Sequence, residues 1–427
     1  MKVLGRPVDR VDGRLKVTGE AKYAADHSAA DLAYGVPIVS TIARGRILSI
    51  DAQRAEEQPG FLAILKRDNT EPVRPTANDF GSWTKLGEAR LLFADDRVYY
   101  AGQYVALVVA DTLERAIAAA AVVEVTYEEE SPVIATEDTL GNAFVPAFAF
   151  GPTMVVRGHI DQGLAAAAHR IDQRYSTPIE HHNPMEPSAT IAAWNGDKLT
   201  LYDATQWVMG ARNSVADMLA LEREKVHIVS NFVGGGFGCK GFIWPHQAMA
   251  AIAAKKVGRP VKVALTRRQM FAACGHRPAT RQHVQMGADN QGRLTGIRHE
   301  SIAQTSFVDE FTELCGCTTG FLYECPNVYV THQLARVNIA TPTPMRAPGE
   351  SPGLFAIESA LDELAYVANI DPVELRLRNY SEKDQESGLP FSSKHLRECY
   401  DVGRKRIGWD SRNPAPGSMR EGRYLVG

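Results

Sequence analysis

A glycine-rich loop between two apolar runs constrains the fold more than any other part of the chain. Residues 225–266 read KVHIVSNFVGGGFGCKGFIWPHQAMAAIAAKKVGRPVKVALT. The first apolar run predicts a buried strand, and the apolar residues after Pro245 recur at helical spacing. Gly258 and Pro260 end that helix, and residues 261–265 predict a second strand. The predicted order is strand, glycine loop, helix and strand.

The loop contains four glycines and one large side chain: Gly234, Gly235, Gly236, Gly238 and Phe237. A backbone without β-carbons can approach a ligand closely, and its amides are free to donate hydrogen bonds. The first interpretation is purely structural: a tight strand-to-helix turn that binds no ligand. A second interpretation is a dinucleotide loop, because Gly236-x-Gly238-x-x-Gly241 has the fingerprint spacing. The next strand is followed by Arg267 and not by an acidic residue that could bind a ribose. This alternative is therefore an NADP-linked dehydrogenase with Arg267 near the phosphate.

Size and composition limit the class of protein. A chain of 427 residues predicts two or three domains, and 44% hydrophobic with 23% charged residues is typical of a globular protein. The net charge of −3 favours neither a nucleic-acid nor a membrane-surface partner. Six scattered cysteines lack the spacing of zinc or iron–sulfur sites.

The segment YSTPIEHHNPMEPSATIAA at residues 175–193 invites a metal-site hypothesis through His181 and His182. Adjacent residues of an extended chain point to opposite faces, and the nearby prolines prevent helical clustering of ligands. The sequence therefore predicts no metal ligated directly by protein side chains here.

Several motifs along the chain resemble one family. They are TGEAKYAAD, YYAGQYVALVVADTLERAIAAAAVVEVTYE, HNPMEP, VGGGFGCK, MRAPGESPG and DPVELRLRN. Together they resemble the molybdenum hydroxylases, the xanthine dehydrogenase and aldehyde oxidoreductase family, and most of all the bacterial periplasmic aldehyde oxidoreductase type. The resemblance covers nearly the whole chain.

The resemblance implies an α+β, mixed α/β fold with a small hammerhead-like domain followed by part of a molybdopterin-binding domain. We expect an N-terminal arm at 1–16, the hammerhead-like domain at 17–137, a linker at 138–155 and the first part of the molybdopterin-binding domain at 156–427. Local order within the first domain is strand, strand, helix, strand, with a capping box from Asp111 to Glu114. The last residues predict the opening of a strand, so the chain is expected to be truncated at its C-terminus, with the catalytic base, a glutamate, lying beyond it.

The resemblance also implies the site. Through the HNPMEP stretch it implies that Asn183 and Glu186 are buried polar groups near the site, or structural groups. The expected cofactor contacts are Gln206, Gly235, Gly236, Phe237, Gly238, Arg346 and Ala347, and Arg346 is in addition the expected catalytic group. Gln206, Phe237 and Gly238 would lie near the metal, which is held by its pterin and not by protein ligands. The implied cofactor is a molybdenum–pterin in its cytosine dinucleotide form.

Departures from the xanthine-type pattern favour an aldehyde substrate. Gly241 stands where those enzymes carry a substrate-binding glutamate, and no arginine occurs between Arg298 and Arg336. Pro348 replaces their aromatic residue. We therefore expect oxidation of aldehydes to carboxylic acids.

The implied partners are an iron–sulfur subunit carrying [2Fe-2S] clusters, an FAD subunit and the missing C-terminal part. The charged N-terminus has no apolar core, so we expect a cytoplasmic chain or a periplasmic one exported with a partner. The alternatives that stay open are the NADP-linked dehydrogenase and an inactive fragment that serves as an assembly or binding module.

Overall fold

The computed structural model describes residues 4–77, 86–147, 149–415 and 417–426. Their α-helices are α1 (Gly13–Thr18), α2 (Gln53–Glu56), α3 (Leu113–Ala121), α4 (Ile160–Ala165), α5 (Val208–Met218), α6 (Pro245–Val257), α7 (Arg267–Ala273), α8 (Glu350–Ala368), α9 (Pro372–Arg378) and α10 (Leu396–Ile407). Their strands are β1 (Ala33–Val39), β2 (Gly45–Asp51), β3 (Phe61–Leu65), β4 (Arg97–Val98), β5 (Tyr104–Ala110), β6 (Glu124–Glu129), β7 (Met154–Arg157), β8 (His169–Thr177), β9 (Ala189–Asn195), β10 (Lys198–Asp203), β11 (Val226–Val229), β12 (Val261–Ala264), β13 (Thr280–Ala288), β14 (Leu294–Ser306), β15 (Val328–Val337), β16 (Met419–Glu421) and β17 (Tyr424–Val426).

A seven-stranded mixed sheet contains strands from both predicted domains. Its order is β11-β10-β9-β12-β1-β5-β3. Strand β1 pairs with β12 in parallel, with Ala33 opposite Val261, and with β5 in antiparallel. Every residue of β5 is buried, as expected for a central strand covered on both faces. The sheet therefore continues across the predicted boundary between the hammerhead-like region and the residues after 156.

A five-stranded sheet forms the second core, in the order β7-β15-β14-β13-β8. A turn at 289–292 joins β13 to β14, and Gly292 adopts a φ of +77° in it. Helix α8 packs on this sheet through an apolar face, which includes the buried side chains of Ile357, Leu361 and Leu364. The apolar face of this helix is thus buried against the sheet, as expected for an amphipathic helix.

A smaller three-stranded sheet, β4-β2-β6, lies beside the first core. The predicted helix at 113–121 is confirmed as α3, but its predicted cap is wrong. Thr112 is the N-cap, and its side chain accepts from the amide of Arg115. Asp111 instead accepts from the Arg115 guanidinium at 2.6 Å. Threonine fills the cap because its hydroxyl reaches the first-turn amides from an extended backbone.

The predicted order of strand, glycine loop, helix and strand is confirmed. Strand β11 ends at Val229, and β10 ends at Asp203, so Gln206 and residues 230–233 belong to loops. Helix α6 begins at Pro245 and ends at Gly258, which has a φ of +66°. The helix starts four residues after Gly241, so its N-terminus is separate from the glycine loop.

The fold class is confirmed as mixed α/β, and the predicted strand at the end of the chain is present as β17. None of the helices that the structure describes is both long and apolar enough to cross a bilayer.

Candidate functional site: two loops around one cavity

The glycine loop, residues 234–238, carries three positive backbone φ angles. Gly235 has a φ of +91°, Phe237 of +56° and Gly238 of +120°. A positive φ is unfavourable for phenylalanine, and such strain persists only where the surroundings impose it. The Phe237 side chain is 44% exposed, although it is a large apolar group. The loop therefore presents a strained backbone and an aromatic ring to open space.

Two of the glycines are required by close approaches. A β-carbon on Gly236 would lie 2.2 Å from the Gln206 side-chain oxygen, and one on Gly238 would lie 1.8 Å from the carbonyl oxygen of Pro344. Both separations are far below van der Waals contact. The loop can meet its neighbours only because these positions have no side chain.

Gln206 lies at the exit of β10 and joins the glycine loop through its side chain. Its Oε1 accepts from the amide of Gly238 at 3.1 Å and from the amide of Lys240 at 3.3 Å. Two N–H donors assign the oxygen end of the carboxamide. The Gln206 NH₂ group donates to no described residue and remains available for a ligand.

The arginine loop, residues 344–349, meets the glycine loop from a distant part of the chain. The amide of Arg346 donates to the carbonyl of Phe237 at 2.8 Å. Ala347 has a φ of +58°, a second strained non-glycine residue at the site. The guanidinium of Arg346 is exposed and makes no hydrogen bond or ion pair within the described part of the chain.

The two loops and Gln206 line one open cavity of about 620 Å³. Its lining consists of Gln206, Val233, Gly235, Gly236, Phe237, Gly238, Pro344, Met345, Arg346 and Pro348. All the predicted site residues are on this surface except Ala347, which lies in the same loop. The lining is apolar apart from backbone groups, one carboxamide and one guanidinium.

The glycine loop rests on a buried ion pair. Lys240 Nζ lies 2.8 Å from Glu186 Oε2, and the Lys240 side chain is 1% exposed. The same carboxylate oxygen accepts from the amide of Gly234 at 2.7 Å, and Oε1 accepts from the amide of Ala24 at 3.3 Å. A buried carboxylate with this many donors is well compensated for its lost hydration. Glu186 is thus the structural anchor of the loop, whereas Asn183, expected to be buried or structural, is exposed.

The arginine loop rests on groups that the sequence did not single out. Arg277 donates to the carbonyl of Arg346 at 2.6 Å, and Glu313 accepts from the amide of Gly349 at 2.6 Å. Both side chains are buried. Their motifs are unremarkable, and charged residues are exposed by default, so no local sequence signal could have revealed them.

The histidines of the 175–193 segment have structural surroundings. His182 Nε2 lies 3.0 Å from the carbonyl oxygen of Pro344, and burial lowers the pKa of His182 below its usual range. His181 packs edge-on against Phe271. Throughout the described ranges, no three or more His, Cys, Asp or Glu side chains form an arrangement that could hold a metal ion.

The geometry disfavours a dinucleotide at this loop. Arg267, the residue proposed to face a phosphate, donates to the carbonyl of Pro184 at 2.5 Å. The helix N-terminus that would receive a pyrophosphate lies beyond Trp244. Burial raises the pKa of the Cys239 thiol to about 11, so this thiol is not a ready nucleophile.

Comparison with known proteins identifies the family. A molybdopterin cofactor-binding domain matches residues 147–380, and the α/β hammerhead domain of aldehyde oxidase and xanthine dehydrogenase matches residues 18–131. The chain is 39% identical over 430 residues to the aldehyde oxidoreductase molybdenum-binding subunit PaoC of Escherichia coli (strain K12), with 100% of this chain and 57% of that protein aligned. It is 32% identical over 435 residues to the xanthine dehydrogenase molybdenum-binding subunit of Escherichia coli O157:H7, with 97% and 57% aligned. The chain thus spans little more than half the length of these curated relatives.

Solved structures share the fold. The aldehyde oxidoreductase from Desulfovibrio gigas superposes with a TM-score of 0.81 at 23% identity, over 94% of this chain and 47% of that one. The CO dehydrogenase from Oligotropha carboxidovorans superposes with a TM-score of 0.81 at 20% identity, over 95% and 54%. The matched domains and the curated relatives show that the chain belongs to the aldehyde oxidase and xanthine dehydrogenase family and contains a molybdopterin cofactor-binding domain.

Proposed function

We propose that this chain is part of the molybdenum-binding subunit of an oxidoreductase that hydroxylates aldehydes to carboxylic acids. The observation that carries the proposal is the meeting of Gln206, Phe237 and Arg346 on one cavity of about 620 Å³. These residues come from three separate segments of the sequence. A cavity of this size is typical of small-molecule and cofactor sites.

The residues present fit an oxygen-rich molybdenum–pterin cofactor. The amides of Gly235, Gly236 and Phe237 make no hydrogen bond to any described residue. Together with the free NH₂ group of Gln206 and the guanidinium of Arg346, they give the cavity an excess of donors. Free backbone amides and a cation favour oxygen ligands that carry negative charge. No carboxylate among the described residues lines this cavity.

The cofactor, when bound, supplies the two-electron redox chemistry and the oxygen that the aldehyde gains. The residues of this chain orient the bound groups and form the walls of the cavity. Gln206 donates from its NH₂ group, and Arg346 provides a fixed cation for developing negative charge on the carbonyl oxygen. Phe237, Met345 and Pro348 give the cavity an apolar wall, which suits the hydrocarbon part of an aldehyde.

The lining supports an aldehyde over a purine. A purine offers ring N–H donors and acceptors that need charged or polar partners, whereas an aldehyde needs apolar walls and a group that polarises its carbonyl. At position 241, where xanthine-type enzymes carry a glutamate, the amide of Gly241 only closes a turn onto the carbonyl of Gly238 at 2.9 Å.

The proposal includes the cytosine dinucleotide form of the cofactor and electron transfer to [2Fe-2S] and FAD partner subunits. Both curated relatives are named as molybdenum-binding subunits, which supports an assembly with further chains. The general base is a glutamate in the remainder of the full-length protein, and the assembly works in the cytoplasm or the periplasm.

Metal analysis of the full-length protein, produced together with its partner subunits, tests the proposal. We expect one molybdenum per catalytic subunit, released cytosine nucleotide on acid hydrolysis, and oxidation of benzaldehyde but not of xanthine with a dye as electron acceptor. Tightly bound NADP without molybdenum would instead favour the dehydrogenase. Molybdenum-free, inactive protein that still binds the partner subunits would favour the assembly module.

A matched pair of variants tests the assignment of the cation. Arg346→Met removes the guanidinium from the cavity and should lower kcat/KM for benzaldehyde by about 100-fold, the scale seen when one transition-state donor is lost. Arg268→Met is the control, because Arg268 is exposed and lies outside the cavity lining. Equal activities in the two variants would remove Arg346 from the mechanism.

A further inference from the structure

The arginine loop has an irregular backbone that needs external support. Ala347 and Gly349 have φ angles of +58° and +83°. Gly349 is the N-cap of α8 and provides no side-chain cap. Such a segment would sample other conformations unless surrounding groups fixed it, because a positive φ is unfavourable for Ala347 and Gly349 adds backbone freedom. What fixes it also fixes the direction of Arg346.

Arg277 binds the loop through its main-chain oxygens. Its Nη2 donates to the carbonyl of Arg346 at 2.6 Å and to that of Met345 at 3.3 Å. The Arg277 side chain is 3% exposed and also lies 3.2 Å from Glu180. The backbones of Arg277 and Glu180 exchange two hydrogen bonds, which anchor the arginine itself. A planar guanidinium fixed in this way sets the position of two consecutive peptide groups.

Glu313 completes the support from the other end of the loop. Its Oε1 accepts from the amide of Gly349 at 2.6 Å and lies 3.8 Å from Nε of Arg277. The Glu313 side chain is fully buried. His182 adds a contact with the carbonyl of Pro344 at 3.0 Å. Three buried side chains from separate segments therefore hold the main chain on both sides of Arg346, whose own side chain stays free.

We propose that Arg277 and Glu313 are positioning residues that hold the main chain of the arginine loop so that the Arg346 guanidinium faces the cavity. Neither side chain lines the cavity, so their effect on a bound molecule passes through the loop. The consequence for catalysis rests on the proposed function. The mechanical part, loss of loop order when either group is removed, is independent of any cofactor.

Hydrogen–deuterium exchange of the full-length protein tests the mechanical part. In Arg277→Gln, amides of residues 345–351 should exchange about tenfold faster, because the local opening of the loop becomes easier. Amides of the glycine loop, which rest on Lys240 and Glu186, should change little. Arg277→Lys keeps the charge but lacks the fork, so it should restore protection only in part.

Arg376→Gln is the matched control for general destabilisation. Arg376 is also a buried arginine that donates to main-chain carbonyls, those of Glu358 and Pro372, and it pairs with Glu358 and Asp362. It lies between α8 and α9, away from the cavity. This variant should lower stability as Arg277→Gln does without selectively loosening residues 345–351.

The activity readout separates positioning from folding. In the molybdenum-loaded complex, Arg277→Gln and Glu313→Leu, which removes the acceptor for the amide of Gly349, should lower kcat/KM for benzaldehyde about tenfold at unchanged molybdenum content. Arg376→Gln should leave kcat/KM near the wild-type value. The positioning role is overturned if the loop exchanges at the wild-type rate in Arg277→Gln, or if Arg376→Gln loosens it equally. If residues 345–351 exchange selectively faster in Arg277→Gln but the wild-type protein never oxidises aldehydes, the positioning role is upheld and the proposed function is refuted.

Discussion

The glycine loop rests on Lys240 and Glu186, whose charged atoms lie 2.8 Å apart, whereas the arginine loop rests on Arg277 and Glu313, whose charged atoms lie 3.8 Å apart. Both pairs are buried and both support one wall of the same cavity. In the first pair the carboxylate also receives two backbone amides. In the second, Glu313 Oε2 and Arg277 Nε find no hydrogen-bond partner in the described part of the chain.

This difference matters because an incompletely satisfied buried charge is costly. Desolvation raises the pKa of Glu313 to about 7, and the backbone amide of Gly349 and the charge of Arg277 offset it only in part. We call the pair of Lys240 and Glu186 the glycine-loop clamp and the pair of Arg277 and Glu313 the arginine-loop clamp. The hydrogen-bonding groups of the first carboxylate are satisfied, whereas the charge of the second carboxylate depends on pH. We expect the first to determine whether the cavity forms at all, and the second to tune how well Arg346 is aimed.

The largest expected effect on the free energy of unfolding comes from breaking the glycine-loop clamp. Lys240→Met leaves the Glu186 carboxylate buried without its cation, a change that costs about 4 kcal/mol in comparable buried pairs. The free energy of unfolding, measured by urea titration, should fall by that amount. Lys255→Met is the control, because Lys255 lies at the surface end of α6 with its ammonium over Trp194. A loss below about 1 kcal/mol in Lys240→Met would show that the pair is not the anchor.

The next effect tests the contact between the two loops. In Gly238→Ala the new β-carbon would lie 1.8 Å from the carbonyl oxygen of Pro344, at a backbone φ of +120°. Overpacking and backbone strain together should cost about 3 kcal/mol and separate the loops. Gly241→Ala is the neighbouring control, since its closest approach is 3.1 Å and its φ is not positive. Similar unfolding free energies for both variants would contradict a tight junction between the loops.

These clamps mark the limit of what the sequence could predict. The sequence pattern predicted α3, α6 and the strands around them, because local spacing determines which face of an element is buried. The resemblance predicted which loops carry Gln206 and Arg346. Contacts between residues far apart in the sequence, such as β1 with β12, leave no local period and were not foreseen.

The resemblance predicted that Glu186 is buried or structural, but neither its partner Lys240 nor the pair of Arg277 and Glu313 was predicted, for a related reason. A lysine or glutamate is assigned to the surface unless a partner is known, and the partner of Lys240 lies 54 residues away. Glu313 falls in a stretch, 303–332, with no clear pattern, and Arg277 precedes a proline in a loop. Only the folded chain shows that these charges meet. The capping error at Asp111 is more local, because Thr112 offers a competing acceptor one residue later.

The third prediction concerns pH. Since the pKa of Glu313 is raised from 4.5 to about 7, the folded state binds this proton more tightly than the unfolded state. The stability that it contributes is present below pH 4.5 and is lost as the pH rises through about 7. At about 1.4 kcal/mol per unit, the loss between pH 5 and pH 7 is about 2 kcal/mol.

The charged and titratable groups facing Glu313 are Arg277, Glu180, Glu350, Cys315 and Cys317. Glu313→Gln removes the titration while keeping an acceptor for the amide of Gly349. Because buried Glu88 and Asp203 also have raised pKa values, the informative quantity is wild type minus variant. That difference should fall by about 2 kcal/mol from pH 5 to pH 7. A flat difference would mean that Glu313 keeps one protonation state across this range.

The smallest effect on stability is expected for substitutions of Gln206, because its side chain is exposed at the cavity. Gln206→Leu removes the acceptor for the amides of Gly238 and Lys240, and the side chain is solvent-accessible, so the cost should be about 1 kcal/mol. Molybdenum retention should nevertheless fall, because the variant also loses the NH₂ group that points to no protein acceptor. Gln206→Glu keeps the acceptor but replaces that donor with negative charge. If both variants lose little stability yet fail to retain molybdenum, Gln206 acts on the cofactor; if Gln206→Glu retains molybdenum as the wild type does, its part is to shape the glycine loop.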